Sequence, residues 1–359
     1  MNKPKLLIVN NGQFGYQAGY YHYAKYLKDE FDITFLCHDR GWSKVELDGI
    51  KVQYISFRNK KIVRHLRWVR AVIQEIKEGR YDIVFSVYFR LCFLIGLLFS
   101  SQKTVILDIR TGSLKKNIVA NYLQNLQIKL ESLFFKKITI LSKGLMKHLG
   151  LKAGKCHWLP LGAEVISKRD SHYRDLKLLY VGNLYQRKIH ETIVGFAKFY
   201  EQFGQYLGCT YDIFGAGTES EEELIRNTIK ELNLEGVVVF HGRRCQQDLL
   251  PYYRASNVGV CYVPITKFFE FQPPTKTFEY ILSGMVCIGT ATYENIKLIN
   301  KTNGLLCRDT PYSFFESLKA FYYKRHLFKY SRIVASLEKY KWSNIVEQNL
   351  KPLLINRTK

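Results

Sequence analysis

Residues 268–290 read FFEFQPPTKTFEYILSGMVCIGT and decide the fold of the second half of this chain. Two consecutive prolines, Pro273 and Pro274, cannot sit inside a regular element, so a helix is expected just after them with Thr275 as its N-cap. Gly284 is a good stop for that helix. The apolar run that follows predicts a buried strand. The stretch therefore predicts a loop, a short helix and a strand.

Two charged side chains stand near the start of this helix. Lys276 and Glu279 are three residues apart, so they are neighbours on one helix face. A lysine at the positive end of a helix can bind phosphate, and a glutamate can accept hydrogen bonds from ribose hydroxyls. The spacing is therefore consistent with a nucleotide-sugar site. A solvent-exposed salt bridge would have the same spacing, and spacing alone favours that alternative.

Length and composition indicate a globular protein of two domains. The chain has 359 residues, of which 47% are hydrophobic. The eight cysteines show no C-x-x-C and no paired spacing, which favours buried thiols in a reducing compartment. A strand is expected directly at the N-terminus, so we expect no signal peptide. The longest apolar stretch, residues 91–99, is too short to span a membrane.

The net charge of +23 is uneven along the chain. Residues 1–170 hold 29 Lys/Arg and 13 Asp/Glu, a balance of +16. This implies an anionic partner, which could be a nucleic acid, a membrane surface or a phosphorylated substrate. Arg64, Arg67 and Arg70 recur every third residue in a predicted helix over 63–78 and could lie on anionic lipid. A solvated helix face is an equal alternative.

The first half alternates short apolar strands with helices, which is typical of a parallel sheet sandwiched by helices. Its opening strand is followed by a glycine-containing loop without the G-x-G-x-x-G pattern of dinucleotide-binding folds. A later strand ends at Asp108, followed closely by Arg110. Ligand residues of open α/β sheets stand at such carboxyl ends. A turn-capping aspartate beside an unrelated arginine is the structural alternative.

The second half repeats the strand–helix alternation. Residues 182–188, 215–217 and 242–244 follow three of its strands and carry glycines or basic groups, and a capping box at Ser220 and Glu223 is expected to open a helix. With Lys276, these loops are expected to converge on one anionic ligand. Helices are expected at 311–324 and at about 328–355.

At this point the second half resembles the family-4 glycosyltransferases, which have the GT-B fold. The matching motifs are, in order, LYVG with a basic loop, IFGAG, VFHGR, PTKTFEYILSG and NGLL, over about residues 178–307. The first half matches more loosely. The resemblance implies an α/β protein of two Rossmann-like parallel-sheet domains facing across a cleft. It implies an acceptor-binding domain at 1–167, a nucleotide-sugar domain at 176–335 and a helix at 336–359 that returns to the first domain. Residues 167–175 show no periodicity and are expected to form a hinge or linker between the two domains.

The resemblance also implies roles for individual residues. Arg187 and Lys188 would bind the diphosphate and stabilise the leaving group, with help from Lys276 and the Thr277 amide, while Glu279 would bind ribose. Donor contacts are further expected from Gly15, Gly182, Gly215, Gly242, Arg243, Phe271 and Gln272. Acceptor contacts are expected from Asp108 and Arg110. No D-x-D metal clamp is visible, so no metal and no cofactor beyond a UDP- or GDP-linked donor is expected.

Three positions depart from the family pattern. Asn183 stands where many members have a basic residue, which shifts the expected phosphate contact to Arg187. Phe271 stands where the family has the first of two glutamates eight apart, and Glu270, one place early, is the candidate catalytic carboxylate. Arg110 stands where many members have a histidine.

The sequence therefore predicts a retaining, metal-independent glycosyltransferase of cell-surface polysaccharide biosynthesis. It would act on a saccharide or polyprenyl-linked acceptor, in the cytoplasm and peripherally on the inner face of the plasma membrane. A sugar-nucleotide epimerase or a sugar-phosphate synthase of the same fold, an inactive scaffold and a basic nucleic-acid-binding protein are the alternatives. No nucleic-acid module is recognisable, so no nucleic-acid partner is expected.

Overall fold

The computed structural model describes residues 3–58, 60–113, 115, 117–168, 173–266, 269–270 and 273–355, except for the side chain of Gln246. The chain forms two compact units, of which the first comprises Met1–Leu161 and Trp342–Lys359 and the second Gly162–Lys341. Each unit is built on its own all-parallel sheet. The predicted α/β class with two Rossmann-like units is confirmed.

Within the described residues, the first sheet has seven strands. They are β1 (Lys5–Asn10), β2 (Asp32–Asp39), β3 (Ile50–Ser56), β4 (Ile83–Val87), β5 (Thr104–Ile109), β6 (Lys137–Ile140) and β7 (Cys156–Trp158). Their spatial order is β3-β2-β1-β4-β5-β6-β7, so the order reverses between β1 and β4. In open parallel sheets, ligands bind beside the carboxyl ends of the strands near such a reversal.

Helices connect these strands and bury apolar faces. They are α1 (Ala18–Leu27), α2 (Lys61–Glu78), α3 (Phe93–Phe99), α4 (Ile118–Ser132) and α5 (Lys143–Leu149). In α2, Trp68, Val69, Val72 and Ile76 recur at helical spacing and are buried in the same core as strand residues Val9 and Leu107. The arginines at 67 and 70 lie on the exposed side of that helix.

The second sheet has six strands among the residues described. They are β8 (Leu176–Val181), β9 (Cys209–Phe214), β10 (Val238–Gly242), β11 (Val258–Cys261), β12 (Val286–Thr290) and β13 (Gly304–Cys307), in the order β10-β9-β8-β11-β12-β13. The helices of this unit are α6 (Ile189–Phe203), α7 (Glu219–Glu231), α8 (Gln246–Ala255), α9 (Thr275–Leu282), α10 (Asn295–Leu298), α11 (Pro311–Lys324) and α12 (Tyr330–Ser336).

Two predicted helix starts are wrong by one or two residues. Thr275 is the first residue of α9 and not its cap, because Pro274 before it is extended and takes the N-cap position without a side-chain hydrogen bond. The capping box of α7 is made by Thr218 and Glu221 instead of Ser220 and Glu223. The same spacing occurs twice in the sequence. The earlier pair is used because Glu221 also accepts from the Gln186 amide at 2.7 Å.

The predicted long helix over 328–355 is also wrong. After α12 the chain makes a 3-10 turn at Glu338–Tyr340, and extended Lys341 interrupts it. The segment that follows belongs to the first unit and consists of α13 (Trp342–Ile345), a π-helical turn at Val346–Leu350 and α14 (Lys351–Ile355). The ring of Trp342 stacks on His22 of α1 at 5.5 Å between centroids. Among the described helices, none is both long and apolar enough to cross a bilayer.

Candidate functional site

Three glycine loops lie side by side at the carboxyl edge of the second sheet. A side chain at position 215 would place its Cβ 2.0 Å from the carbonyl oxygen of Gly182, so these two loops touch through their backbones. The amide of Gly215 donates to the carbonyl oxygen of Gly242 at 3.0 Å. Gly242 has a φ of +68°, a conformation that favours glycine. The structure therefore brings together the loops at 182, 215 and 242 that the sequence singled out.

The basic loop between β8 and α6 has an unusual backbone. Gln186 and Lys188 are both left-handed, with φ of 57° and 54°, on either side of Arg187. Lys188 is also the N-cap of α6. A cation at the positive end of a helix is electrostatically unfavourable, and Glu191 in the first turn offsets it through an ion pair with Lys188 at 3.3 Å. The loop at this edge of the sheet therefore carries two cations, of which Lys188 is paired with Glu191.

Arg187 lies beside the segment that leads into α9. Its guanidinium carbon is 4.2 Å from the centroid of the Phe269 ring. Arg187 also contributes to lowering the pKa of the buried Cys261 thiol, behind the larger effects of a hydrogen bond with Cys287 and one with Thr277. The Thr277 hydroxyl donates to the Cys261 sulfur at 3.0 Å. Arg187 and the start of α9 are therefore both near the end of β11.

Lys276 and Glu279 do form an ion pair on α9. The pair is not a simple surface contact, because the Tyr253 hydroxyl also donates to Glu279 Oε2 at 3.0 Å. Burial, with the Glu279 carboxylate, raises the pKa of Tyr253, so this hydroxyl remains a donor. The Glu279 side chain is 21% exposed, and among the described residues its Oε1 atom accepts no hydrogen bond. That oxygen is placed to accept from a ligand.

The predicted catalytic residue Glu270 and the predicted donor residue Arg243 follow strands β11 and β10 of the same sheet. Glu270 accepts from the Tyr293 amide at 2.7 Å, beyond the end of β12, so its carboxylate braces the loop there. Arg243 follows Gly242 and is exposed. The predicted contacts of Phe271 and Gln272 lie outside the described residues. The catalytic and donor-binding roles of all these residues stay predictions.

In the first unit, Asp108 and Arg110 form a buried network at the end of β5. Asp108 is fully buried and accepts from Tyr20 at 2.5 Å, from Thr139 at 2.7 Å and from Arg110 Nε at 2.7 Å. Burial raises the pKa of Asp108 to about 7, and the hydrogen bonds from Tyr20 and Thr139 oppose that rise. Arg110 also donates to the carbonyl oxygen of Leu159 at 3.1 Å and to the Tyr23 hydroxyl. The structure thus gives Asp108 internal partners, and its predicted acceptor contact stays a prediction.

Gly15 has a local reason to be glycine. Its φ is +88°, and a Cβ there would lie 2.5 Å from the Val45 side chain. The turn therefore requires glycine whether or not a ligand approaches it, and the predicted contact with the donor remains a prediction.

Sequence reasoning missed several partners of the site residues. Tyr253, which holds Glu279, and Tyr20 and Tyr23, which hold the Asp108–Arg110 pair, stand far from those residues in the sequence. The three-residue spacing of Tyr20 and Tyr23 on α1, just after the glycine loop, was the available signal. Within the described ranges, no three His, Cys, Asp or Glu side chains are grouped so as to hold a metal ion.

Comparison with known proteins identifies the fold. No protein-family model matches the sequence, and no curated protein does. Among solved structures, sucrose-phosphate synthase from Thermosynechococcus elongatus is 16% identical, with a TM-score of 0.71 over 96% of this chain and 97% of that one. Anabaena HepE in complex with UDP and glucose is 13% identical, with a TM-score of 0.72 over 96% and 98%. The lipopolysaccharide outer core galactosyltransferase WaaB is 16% identical, with a TM-score of 0.69 over 99% and 100%. Likeness over nearly the whole of each chain shows that this chain has the GT-B fold.

Proposed function

We propose that this protein is a glycosyltransferase that binds a nucleotide sugar at the carboxyl edge of its second sheet. It transfers the sugar with retention and without a metal to a saccharide or lipid-linked saccharide. The observation that carries the proposal is the placing of Arg187 and Lys188 beside the touching glycine loops, with Arg187 against the segment that leads to Lys276 and Glu279. Cations for the diphosphate and a carboxylate acceptor for the ribose are two features that a nucleoside diphosphate requires.

The diphosphate would lie against the basic loop. Lys188 stands at the positive end of α6, where a bound phosphate would share its ammonium group with Glu191. Arg187 offers a planar fork for two phosphate oxygens, whereas the Thr277 amide, in the first turn of α9, already donates to the carbonyl oxygen of Pro274 at 3.2 Å. The two cations would stabilise the charge that the leaving diphosphate gains as the sugar departs.

The ribose would lie against Glu279. Its Oε2 atom is held by Lys276 and Tyr253, which fixes the carboxylate, and among the described residues its Oε1 atom has no donor. A carboxylate that is held in advance binds two hydroxyls with little loss of side-chain entropy. UDP is the first nucleotide to test as the donor's leaving group, because the matched HepE structure contains UDP and glucose. The match to WaaB supports a role in making a cell-surface glycan.

Direct binding tests the donor site. We expect calorimetry to detect UDP or GDP binding, and Arg187→Ala, Lys276→Ala and Glu279→Ala each to weaken it by about 10- to 100-fold, as loss of a charge-assisted hydrogen bond does. Lys319→Ala is the matched control, because Lys319 also pairs with a glutamate three residues away, Glu316, at 3.8 Å. Equal affinity in all four variants, or no affinity of the unaltered protein for any nucleoside diphosphate, would refute the site.

The chemistry is tested on the product. We propose that the leaving diphosphate assists attack from its own face of the sugar, and that the protein supplies position and charge stabilisation. NMR of the product is then expected to show the anomeric configuration of the donor, and EDTA is expected to leave turnover unchanged. An inverted product, or activity that EDTA abolishes and Mg²⁺ restores, would contradict this mechanism. Transfer to a free sugar phosphate would instead assign a synthase.

We also propose that the first unit contacts an anionic membrane surface through α3 and α4. A groove of about 440 Å³ between them is lined mainly by apolar side chains, and Ile118, Val119, Tyr122 and Leu123 beside it are more than half exposed. Residues 90–155 hold twelve Lys/Arg and two Asp/Glu, and both acids, at 108 and 131, are buried. The exposed charge there is therefore positive around an apolar patch, which suits anionic lipid.

Vesicle sedimentation tests the membrane contact. We expect binding to vesicles that contain phosphatidylglycerol and little binding to pure phosphatidylcholine. Tyr122→Ser with Leu123→Ser should reduce it, whereas Tyr312→Ser, an equally exposed tyrosine of the second unit, should not. Equal binding by both variants would refute this surface.

A further inference from the structure

Two arginines of the first unit share one aromatic ring. The guanidinium carbon of Arg40 lies 4.5 Å from the centroid of Phe57, and that of Arg64 lies 3.8 Å from it. In the part of the chain that the structure describes, neither arginine has a carboxylate within ion-pair distance. Burial and the charge of Arg64 both lower the pKa of Arg40. Two cations that contact one ring without a carboxylate partner form a cluster that an anion would stabilise.

An exposed aromatic pair adjoins these arginines. The rings of Tyr16 and Trp42 are 4.7 Å apart, and they are 46% and 48% exposed. Arg40 stands between the two features, with its guanidinium carbon 5.6 Å from the Trp42 ring. Two adjacent half-exposed rings offer a flat apolar surface that a ligand can cover.

The aromatic pair is held in place by the backbone. Gln13 is 2% exposed and donates to the carbonyl oxygen of Trp42 at 2.8 Å, while it accepts from the Arg40 amide at 2.9 Å. The Tyr16 hydroxyl donates to the carbonyl oxygen of Ser43 at 3.0 Å. A buried glutamine therefore joins the loop after β1 to the loop after β2. The platform is preorganised and loses little entropy when a ligand binds.

A third feature lies next to Arg64 in α2. Ile62, Val63 and Leu66, in the first turns of α2, are 76%, 51% and 56% exposed. They flank Arg64 in the sequence, and Arg40 and Phe57 directly follow β2 and β3. The three neighbouring strands β1, β2 and β3 are thus followed by the aromatic pair, the two arginines and the apolar side chains of α2. Because the strands are parallel, all three features belong to the carboxyl edge of the sheet.

We propose that the Arg40–Phe57–Arg64 cluster binds the phosphate group of a lipid-linked saccharide acceptor. The sugar stacks on Tyr16 and Trp42, and the hydrocarbon tail lies along the exposed residues of α2. A phosphate that carries a sugar on one side and an isoprenoid chain on the other is the ligand that meets all three chemistries in this order. The inference rests on the proposed transferase function and assigns its acceptor class and acceptor site.

Binding of farnesyl diphosphate, measured by calorimetry on the full chain, tests the cluster. We expect it to bind more tightly than pyrophosphate, and Arg40→Gln with Arg64→Gln to weaken it at least tenfold. Arg70→Gln, an exposed arginine of the same helix, is the matched control and should change it less than twofold. Arg40→Lys with Arg64→Lys keeps the charge but removes the planar fork, so intermediate affinity is expected, and this pair serves if the glutamine variant does not fold.

The outcomes separate this inference from the donor site. UDP affinity is measured in the same variants and is expected to stay within twofold, because the donor site belongs to the second unit. No farnesyl diphosphate binding, or equal loss in Arg70→Gln, overturns the inference even if UDP binds. Pyrophosphate binding as tight as farnesyl diphosphate assigns the cluster to a free phosphate, and arginine-dependent binding to phosphatidylglycerol vesicles alone assigns it to a membrane headgroup. Either result overturns the lipid-linked acceptor.

Discussion

Replacing Asp108 by alanine is expected to destabilise the first unit by about 3–5 kcal/mol, the usual cost of removing one partner from a buried ion pair. The carboxylate has no exposed surface and accepts three side-chain hydrogen bonds, from Tyr20, Thr139 and Arg110. Its loss leaves the Arg110 guanidinium, 17% exposed, without a counter-charge. The uncompensated charge is the largest part of the expected effect.

The test is a double-mutant cycle read by tryptophan fluorescence during urea unfolding. All four tryptophans of the chain belong to the first unit, so their signal reports on that unit alone; they are Trp42, Trp68, Trp158 and Trp342. Asp108→Ala with Arg110→Ala removes both charges, and we expect it to cost less than the two single variants added together.

Two results would refute this account of the network. One is an Asp108→Ala variant within about 1 kcal/mol of the unaltered protein, the range of an ordinary exposed pair. The other is a double variant whose loss equals the sum, since independent sites add and members of one network do not. A strictly additive cycle would leave Asp108 available for the acceptor contact that the sequence suggested.

Three further predictions concern pH, loop packing and the C-terminal segment. Burial lowers the pKa of His38 from 6.5 to about 4. Its contribution to stability is therefore complete above pH 6.5 and falls by about 1.4 kcal/mol per pH unit as the pH drops toward 4. In urea unfolding, the free energy of unfolding of His38→Gln should decrease less steeply over this pH range than that of the unaltered protein. Gly215→Ala would press a Cβ against the carbonyl of Gly182 and should weaken UDP binding in calorimetry, whereas Gly236→Ala, which meets no atom within 4 Å, should not. Trp342→Ala should lower the stability of the first unit by about 3–5 kcal/mol in the same fluorescence assay, and an unchanged midpoint would mean that the C-terminal segment does not support that unit.

The two parallel sheets, and the glycine loops at the carboxyl edge of the second one, could be predicted from the sequence because their signals are local. Apolar runs and helical periodicity lie within a few residues of each other, so they mark strands and helices without knowledge of the rest of the chain. Parallel strands then place all their carboxyl ends at one edge, which is why the loops at 182, 215 and 242 were expected to meet. Topology alone supplied that long-range information.

The details that failed depend on contacts between distant residues. Thr218 and Ser220 carry the same capping signal, and the choice is made by Gln186, more than thirty positions earlier, whose amide binds Glu221. One long helix was expected over about 328–355, but the chain is interrupted before Trp342, which docks on α1 more than three hundred positions away. Tyr253 and Glu279 are likewise joined only in the folded chain. No window of sequence contains these pairs.

Cations cluster at two separate places in the fold, which favours two ligand sites instead of one. Lys188 stands at the positive end of α6, where Glu191 offsets its charge. Arg40 and Arg64 share the Phe57 ring, and among the described residues neither has a carboxylate within ion-pair distance. Cations that stabilise the fold are instead paired with carboxylates of neighbouring elements. Lys351, for example, pairs with both Glu30 and Glu347, and it stabilises the packing of α14 on the first unit. A net charge of +23 says only that an anion is favoured, whereas the lysine at a helix N-terminus and the two arginines on one ring indicate where anions bind.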